Sequence, residues 1–84
     1  MTREREVIAV LVELFREILG DPAIDLRPED KESDIPGFDS GKKVLLILAV
    51  EERFGIYTQS EEVDGLCRVG DWVALVLRHS TTAV

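Results

Sequence analysis

Apolar residues recur every three to four positions from residue 4 to residue 19, and charged residues occupy the positions between them. This 3.6-residue spacing is typical of an amphipathic helix with one face in a core. Thr2 is a candidate N-cap, while Gly20 and the nearby Pro22 supply a left-handed exit and a helix breaker. The pattern therefore predicts a first helix from Thr2 to Leu19.

The periodicity stops between Gly20 and Asp39, where three prolines interrupt any helix. Isolated apolar residues in this stretch, among them Ile35 and Phe38, predict a long loop that is held against the core. A loop of this length in a small domain usually serves a function. It also carries most of the net negative charge of the chain, with seven acidic residues against two basic ones.

A second helix is predicted from Ser40, a good N-cap residue, to Phe54, with Gly55 as its C-terminal stop. Residues 44–50 are all apolar. Such a run also suits a buried strand, but its polar continuation and the closing glycine favour one helix of about four turns. Because the run covers every face of the helix, not all of it can be buried in a small domain.

Two further helices are predicted, a short one from Ser60 to about Asp64 and a last one from Val69 to Leu77, whose apolar residues share one face. The residues after Arg78 read as a frayed tail. The pattern as a whole predicts an all-α chain that forms a single domain over residues 1–84, with its packed part at about residues 4–78.

Length and charge exclude several classes of protein. A chain of 84 residues has room for one modest core and little space for an elaborate catalytic pocket. A formal net charge of −7 disfavours binding to nucleic acids and to anionic membrane surfaces. No segment approaches the roughly 20 apolar residues of a membrane span, and no signal sequence opens the chain, so we expect a cytoplasmic protein.

The reactive residue types are few. One cysteine and one histidine exclude an internal disulfide and a Cys/His zinc site. We expect Cys67 to pack into the core, and His79 to lie at the end of the last helix, where its charged form suits the negative terminus. The acidic loop lacks EF-hand spacing, and no catalytic triad or phosphate loop is present. The sequence therefore predicts neither an enzyme nor a metal site.

A short motif, Gly37-Phe38-Asp39-Ser40, stands where the acidic loop meets the second helix. By itself it indicates a turn and a helix cap, in which Asp39 and Ser40 satisfy free backbone amides. The order of elements makes it more specific. Together with the Glu-Glu-Arg-Phe-Gly sequence that ends the second helix and the Arg-Val-Gly-Asp-Trp sequence that opens the last one, the chain resembles the acyl carrier protein family over almost its whole length.

The resemblance implies a small four-helix bundle in which Ser40 carries 4′-phosphopantetheine, transferred from coenzyme A by a phosphopantetheinyl transferase. It also implies that Asp39 positions the coenzyme or a divalent ion during that transfer. The arm would hold a fatty acyl, polyketide or aminoacyl group as a thioester and present it to a loading enzyme, synthase or acyltransferase. A serine at the positive end of a helix suits the attached phosphodiester.

The chain departs from the family pattern just after the serine. Gly41 stands where family members usually have a large aliphatic residue, which weakens the first helical turn by up to ~1 kcal/mol. Lys42 and Lys43 follow it, and Leu45 occupies a position that is commonly acidic. We therefore expect partners that differ from those of bulk fatty-acid synthesis, in a specialised pathway.

If Leu46, Ile47, Val50 and Phe54 face the core, helical geometry turns Leu45 and Leu48 outward or to the flank. These leucines would then form an apolar docking patch beside the two lysines, unless the first helix or the loop covers them. We expect a monomeric carrier. Two alternatives stay open: an unmodified interaction module that docks through the Leu45/Leu48 face, and a homodimer sealed through the second helix.

Overall fold

A computed structural model of the protein describes the backbone of residues 2–82 and the side chains of residues 3–79. Within these residues the chain forms four α-helices: α1, Thr2–Leu19; α2, Ser40–Phe54; α3, Ser60–Asp64; and α4, Val69–Thr82. One turn of 3-10 helix, Glu32–Asp34, lies in the long connection between α1 and α2. The predicted all-α fold is confirmed.

Glycine ends two of the long helices as predicted. Gly20 and Gly55 both have φ +67°, the left-handed conformation that closes a helix and that glycine adopts without steric cost. The backbone N–H of Gly55 donates to the carbonyl of Glu51 and so satisfies one of the last free acceptors of α2. The predicted bounds of α1, α2 and α3 are confirmed.

The prediction for the end of α4 was wrong. The helix continues beyond Leu77 to Thr82, so the expected tail is helical as far as Thr82. The predicted helix ended at Leu77 because the repeating apolar pattern ends there. That pattern indicates which residues are buried, and a helix can continue beyond its last buried residue. Ala83 and Val84 lie outside the described residues, as does the side chain of Thr2, the proposed cap of α1.

The core forms where α1 packs against α2 and α4. Trp72, Phe15 and Leu11 are its largest fully buried side chains. The other buried apolar residues of this cluster are Val7, Leu14, Ile35, Leu46, Val50, Ile56, Leu66, Val69, Val73, Leu75 and Val76. The sequence placed four residues of α2 in the core. Leu46 and Val50 are fully buried, whereas Ile47 and Phe54 are only partly buried and pack against the core.

The long loop is pinned to the start of α4 by backbone pairing. Lys31 and Arg68 form an isolated antiparallel bridge. On either side of it, the N–H of Glu32 donates to the carbonyl of Cys67 at 2.9 Å, and the N–H of Gly70 donates to that of Pro28 at 2.8 Å. The predicted attachment of the loop to the core is confirmed.

Candidate functional site

The segment that leads into α2 is anchored by two apolar side chains. Ile35 is buried, and the N–H of Phe38 donates to the Ile35 carbonyl at 3.2 Å. The ring of Phe38 packs against that of Phe15 on α1, with 5.3 Å between centroids and 45° between planes, an ordinary tilted aromatic contact. Ser40, two residues after Phe38, therefore stands at a defined place on the surface.

Asp39 rather than Ser40 is the N-cap of α2, so the sequence-based assignment of the cap to Ser40 was wrong. Asp39 has extended backbone angles, and its Oδ1 accepts the backbone N–H of Lys42 at 2.8 Å. Its carbonyl also accepts the N–H of Lys43 at 2.8 Å. Both residue types cap well, but the first helical residue cannot also be the cap. Ser40 begins the helix and is exposed.

A shallow open groove of ≈ 280 Å³ lies beside Ser40. Its lining comes from the loop and from the first turn of α2: Glu32, Ser33, Phe38, Asp39, Ser40 and Lys43. The groove therefore combines one aromatic side chain, two hydroxyls and three charged groups. Such a surface offers room beside the serine without enclosing it.

Two contacts within the protein hold the side chain of Lys43. Its Nζ lies 3.2 Å from Glu32 Oε1 and donates to the carbonyl of Leu66 at 3.3 Å. The side chains of Lys43 and Glu32 are 22% and 13% exposed, so this is a largely buried ion pair. The other oxygen of Glu32, Oε2, accepts the indole N–H of the buried Trp72. Glu32 thus joins the loop to both α2 and α4.

Lys42 lies one residue earlier and is half-buried. Among the side chains that the structure describes, it forms no ion pair, whereas Lys43 does. The two lysines therefore differ in their contacts, although they are adjacent in the sequence: within the part of the chain described, Lys43 is held by an ion pair and Lys42 is not.

The outer face of α2 carries an apolar strip formed by Val44, Leu45 and Leu48, which are 56%, 52% and 57% exposed. The alternative in which α1 or the loop covers the leucines is wrong. Tyr57, 84% exposed, lies beyond the end of the helix, where it lines a second surface groove together with Leu48. Exposed apolar side chains in a row mark a surface that differs from an ordinary solvated helix face.

The expectation that Cys67 packs into the core was wrong, because its side chain is exposed. Its backbone explains its position: the N–H of Cys67 and the N–H of Arg68 both donate to Asp71 Oδ2 at 2.9 Å. These two donors, that of Arg68 first, hold the pKa of Asp71 below its ordinary value. The segment is therefore fixed by backbone bonds and not by burial of the thiol.

His79 contacts Glu62 of α3 as well as lying near the end of α4. Its Nε2 is 3.1 Å from both carboxylate oxygens of Glu62, and Arg78 contacts the same carboxylate at 3.3 Å. Glu62 Oε1 also accepts the backbone N–H of Gln59 at 2.9 Å, half of a capping box. The Gln59 N–H first, and then His79, lower the pKa of Glu62. Glu62 therefore ties α3 to α4.

Sequence reasoning missed the part that Glu32 and Trp72 play beside the serine. Glu32 was one of seven acidic residues in the loop, with nothing to distinguish it from the others. Trp72 was assigned correctly to the apolar face of α4, but its indole N–H needs a partner when buried, and that requirement predicts an acceptor without naming one. The pairing became visible only in three dimensions.

Two kinds of feature are absent from the described residues. No three side chains of the His, Cys, Asp and Glu types come together there as ligands for a metal ion. None of the helices described has the length and apolar character needed to cross a membrane.

Comparison with known proteins gives consistent sequence relatives, although no family model matches the chain. The acyl carrier protein of Acidothermus cellulolyticus is 32% identical over 80 residues, which covers 95% of each chain. The meromycolate extension acyl carrier protein of Mycolicibacterium aurum is 32% identical over 73 residues, covering 87% of this chain and 75% of that protein.

Solved structures agree in fold. An acyl carrier protein from Thermotoga maritima superposes with a TM-score of 0.87 at 23% identity, covering 98% of this chain and 95% of the other. A holo acyl carrier protein from Geobacter metallireducens superposes with a TM-score of 0.83 at 29% identity, covering 90% and 87%. With an exposed serine at the start of α2 and relatives that match almost end to end, the chain belongs to the acyl carrier protein family.

Proposed function

We propose that Ser40 carries 4′-phosphopantetheine and that the protein uses this arm to deliver a thioester-bound acyl or aminoacyl group to partner enzymes. The observation that supports the proposal most directly is the position of Ser40, exposed at the first residue of a 15-residue helix. Because Asp39 already caps the backbone, the serine hydroxyl is left for chemistry.

The residues around Ser40 suit such a group. The open groove beside the serine leaves room for a transferase to approach, and the start of α2 presents backbone amides that favour a phosphodiester. In the transfer, Ser40 Oγ forms the new bond to phosphorus, the pyrophosphate bond of coenzyme A breaks, adenosine 3′,5′-bisphosphate leaves and the hydroxyl proton passes to the transferase. When attached, the group supplies a flexible thiol, and the protein contributes position rather than catalysis.

Intact mass measurement tests the modification. The apo protein, incubated with coenzyme A and a broad-specificity phosphopantetheinyl transferase, is expected to gain the mass of one phosphopantetheinyl group. Ser40→Ala should abolish the gain. Ser33→Ala is the matched control, because Ser33 lines the same groove and should be dispensable. No mass gain, or a gain that persists in Ser40→Ala, would overturn the proposal.

The partner surface that we propose is the apolar strip of α2 together with Lys42. The strip begins a few residues after Ser40, so an enzyme seated on it reaches the root of the arm. A loading enzyme, synthase or acyltransferase of a fatty-acid, polyketide or other specialised pathway would bury these side chains at the centre of its contact. Lys43 contributes less than the sequence suggested, because Glu32 and the Leu66 carbonyl already engage it.

The exposed strip also favours a second candidate, an unmodified interaction module that uses the same face. In cells, Ser40→Ala and Leu45→Asp separate the two functions. Loss of function in both variants supports the carrier. Full function in Ser40→Ala with loss in Leu45→Asp supports the module. Sedimentation of the apo protein at several concentrations checks the expected monomer against a dimer sealed through Leu45 and Leu48.

A further inference from the structure

We propose that Lys43 contacts the phosphate of the arm on Ser40 while keeping its ion pair with Glu32, so that modification of the serine is sensed at Trp72. The inference rests on the proposed modification of Ser40 and deepens it. It assigns a positioning residue for the arm that belongs to this chain in particular, because the lysine is part of its departure from the family pattern.

The helix places Lys43 on the same side as Ser40. Residues three apart share a helix face, and both side chains line the groove that also contains Glu32 and Phe38. A phosphodiester on Ser40 would therefore leave the helix on the side where the ammonium already lies. Lys42, one residue earlier, is turned by about 100° around the helix and does not line this groove.

Charge makes Lys43 the natural contact for an anion in this groove. Of the side chains that line it, Lys43 is the one cation, while Glu32 and Asp39 are carboxylates. A phosphate placed among two carboxylates would be repelled unless a cation lay between them. Glu32 holds the ammonium in position for that contact, with 3.2 Å between Nζ and Oε1.

The ammonium has a donor left for the phosphate. A lysine side chain has three N–H donors. One faces Glu32 Oε1 and a second donates to the Leu66 carbonyl at 3.3 Å, which leaves a third. Because the lysine is already ordered by these two contacts, little side-chain entropy remains to be lost when a third acceptor arrives.

Trp72 provides the means of detection. It is the one tryptophan of the chain, and its indole N–H donates to the second oxygen of Glu32. A phosphate that also accepts from Lys43 weakens the ion pair between Lys43 and Glu32. The carboxylate of Glu32 then becomes a stronger acceptor for the indole N–H of Trp72. The indole N–H resonance therefore reports on the groove from inside the core.

The test compares apo and holo forms of the full chain by NMR, with Lys43→Gln set against Lys42→Gln. The two variants make the same change of charge at adjacent residues. In the unmutated chain and in Lys42→Gln, conversion from the apo to the holo form should displace the Trp72 indole resonance by more than its line width. In Lys43→Gln the displacement should be lost, and the ³¹P resonance of the arm should move from its position in the other two proteins.

Glu32→Gln keeps the test decisive if Lys43→Gln proves poorly folded. Its amide oxygen can still accept the indole N–H, but the amide nitrogen then faces Lys43 and no longer holds the ammonium in place. We expect its ³¹P resonance to move from that of the unmutated chain and the response of Trp72 to modification to weaken; if both stay as in the unmutated chain, the inference is wrong.

The inference would be overturned if Lys43→Gln and Lys42→Gln had the same ³¹P resonance in the holo form and the same indole displacement between apo and holo forms. It would also be overturned if the indole resonance of the unmutated chain did not move when Ser40 is modified. The mass of each sample is measured first. Absence of the phosphopantetheinyl mass defeats the proposed function itself, whereas a modified protein without these responses defeats the role of Lys43 alone.

Discussion

Asp39 caps α2, and this leaves the hydroxyl of Ser40 exposed. The sequence had suggested that both residues cap the helix. The carboxylate of Asp39 accepts the free N–H of Lys42, so the neighbouring hydroxyl is not consumed by the backbone. A capping serine would point its oxygen back at the helix amides. The shift of the cap by one residue therefore turns a structural serine into an exposed one.

Substitution of Asp39 separates capping from any part in arm transfer. Asp39→Ala should lower the free energy of unfolding by about 1 kcal/mol, because the cap is lost. Asp39→Asn should stay close to the unmutated protein, because its side-chain oxygen still accepts the Lys42 N–H. Urea unfolding followed by circular dichroism measures both. A slower transferase reaction in Asp39→Asn at unchanged stability would assign the charge of Asp39 to the transfer.

Two glycine substitutions should change stability in opposite directions. At Gly41 an added Cβ meets nothing nearer than Asp39 Oδ1 at 3.4 Å, so Gly41→Ala should stabilise the helix by up to ~1 kcal/mol. At Gly70 the Cβ would lie 3.0 Å from the Pro28 carbonyl oxygen, which also accepts the Gly70 N–H. Gly70→Ala should cost about 1–3 kcal/mol, as overpacking does.

Thermal unfolding of the two variants gives the sign of each effect. If Gly70→Ala were as stable as the unmutated chain, the pairing of the loop with α4 would be looser than the structure indicates. If Gly41→Ala were destabilised, its contact with the capping carboxylate would outweigh the gain in helix propensity.

The sequence predicted the bounds of the helices better than which of their residues face the core and which face outward. Periodicity and end signals located α1, α2 and α3 because capping residues and glycines act locally. Counting could not decide which residues of the unbroken apolar run in α2 face outward, because the phase of a helix is set by what packs against it. The pairing of Lys43 with Glu32 and the exposure of Cys67 depend on the loop crossing to α4, which no local signal encodes.

Neighbouring leucines on α2 should respond to the same substitution in different ways. Leu46 is fully buried, so Leu46→Ala should cost about 2–5 kcal/mol through lost contacts and the cavity left behind. Leu45 is half exposed, so Leu45→Ala should stay within about 0.5 kcal/mol. Denaturant midpoints measure both. A large loss in Leu45→Ala would mean that α2 is rotated from the orientation described.

For binding to a partner we expect Leu45 to matter more than Leu46, the reverse of their effects on stability. Leu45→Ala should weaken the complex with a cognate enzyme while leaving the fold intact, and Leu48→Ala should do the same, as expected for residues at the centre of an interface. Glu17→Ala, a change at an exposed residue of α1 and so outside the strip, is the control. Equal affinity in all three variants, measured by calorimetry, would remove the strip from the partner surface.

Over the whole molecule, the negative charge is spread unevenly. Most of the net negative charge lies in the loop between α1 and α2, whereas the first turn of α2 is basic, so a partner meets two differently charged surfaces on either side of Ser40. A partner with basic groups facing the loop and an apolar or acidic surface facing α2 is therefore expected. This arrangement was visible in the sequence, but the fold adds that Glu32 and Lys43 neutralise each other where the two surfaces meet.

Acid should destabilise the fold through two carboxylates that hold its C-terminal half together. Glu62 and Asp71 have pKa values below the ordinary 4.5 and 3.8, chiefly because backbone N–H groups donate to their charged forms. A carboxyl group whose folded pKa is lowered binds protons more readily in the unfolded chain. Its stabilising contribution is complete above the unfolded pKa and is lost as the pH falls through the folded one.

We therefore expect the urea midpoint to be level from pH 7 to about pH 5 and to fall steadily below that. Glu62→Gln and Asp71→Asn should begin lower at pH 7, because the charge that strengthens these hydrogen bonds is gone, and should fall less between pH 5 and pH 3. Glu61→Gln, an adjacent exposed carboxylate, should keep the full acid dependence. A midpoint that falls as steeply in Glu62→Gln and Asp71→Asn as in Glu61→Gln would place the acid sensitivity in other carboxylates, such as those of the loop.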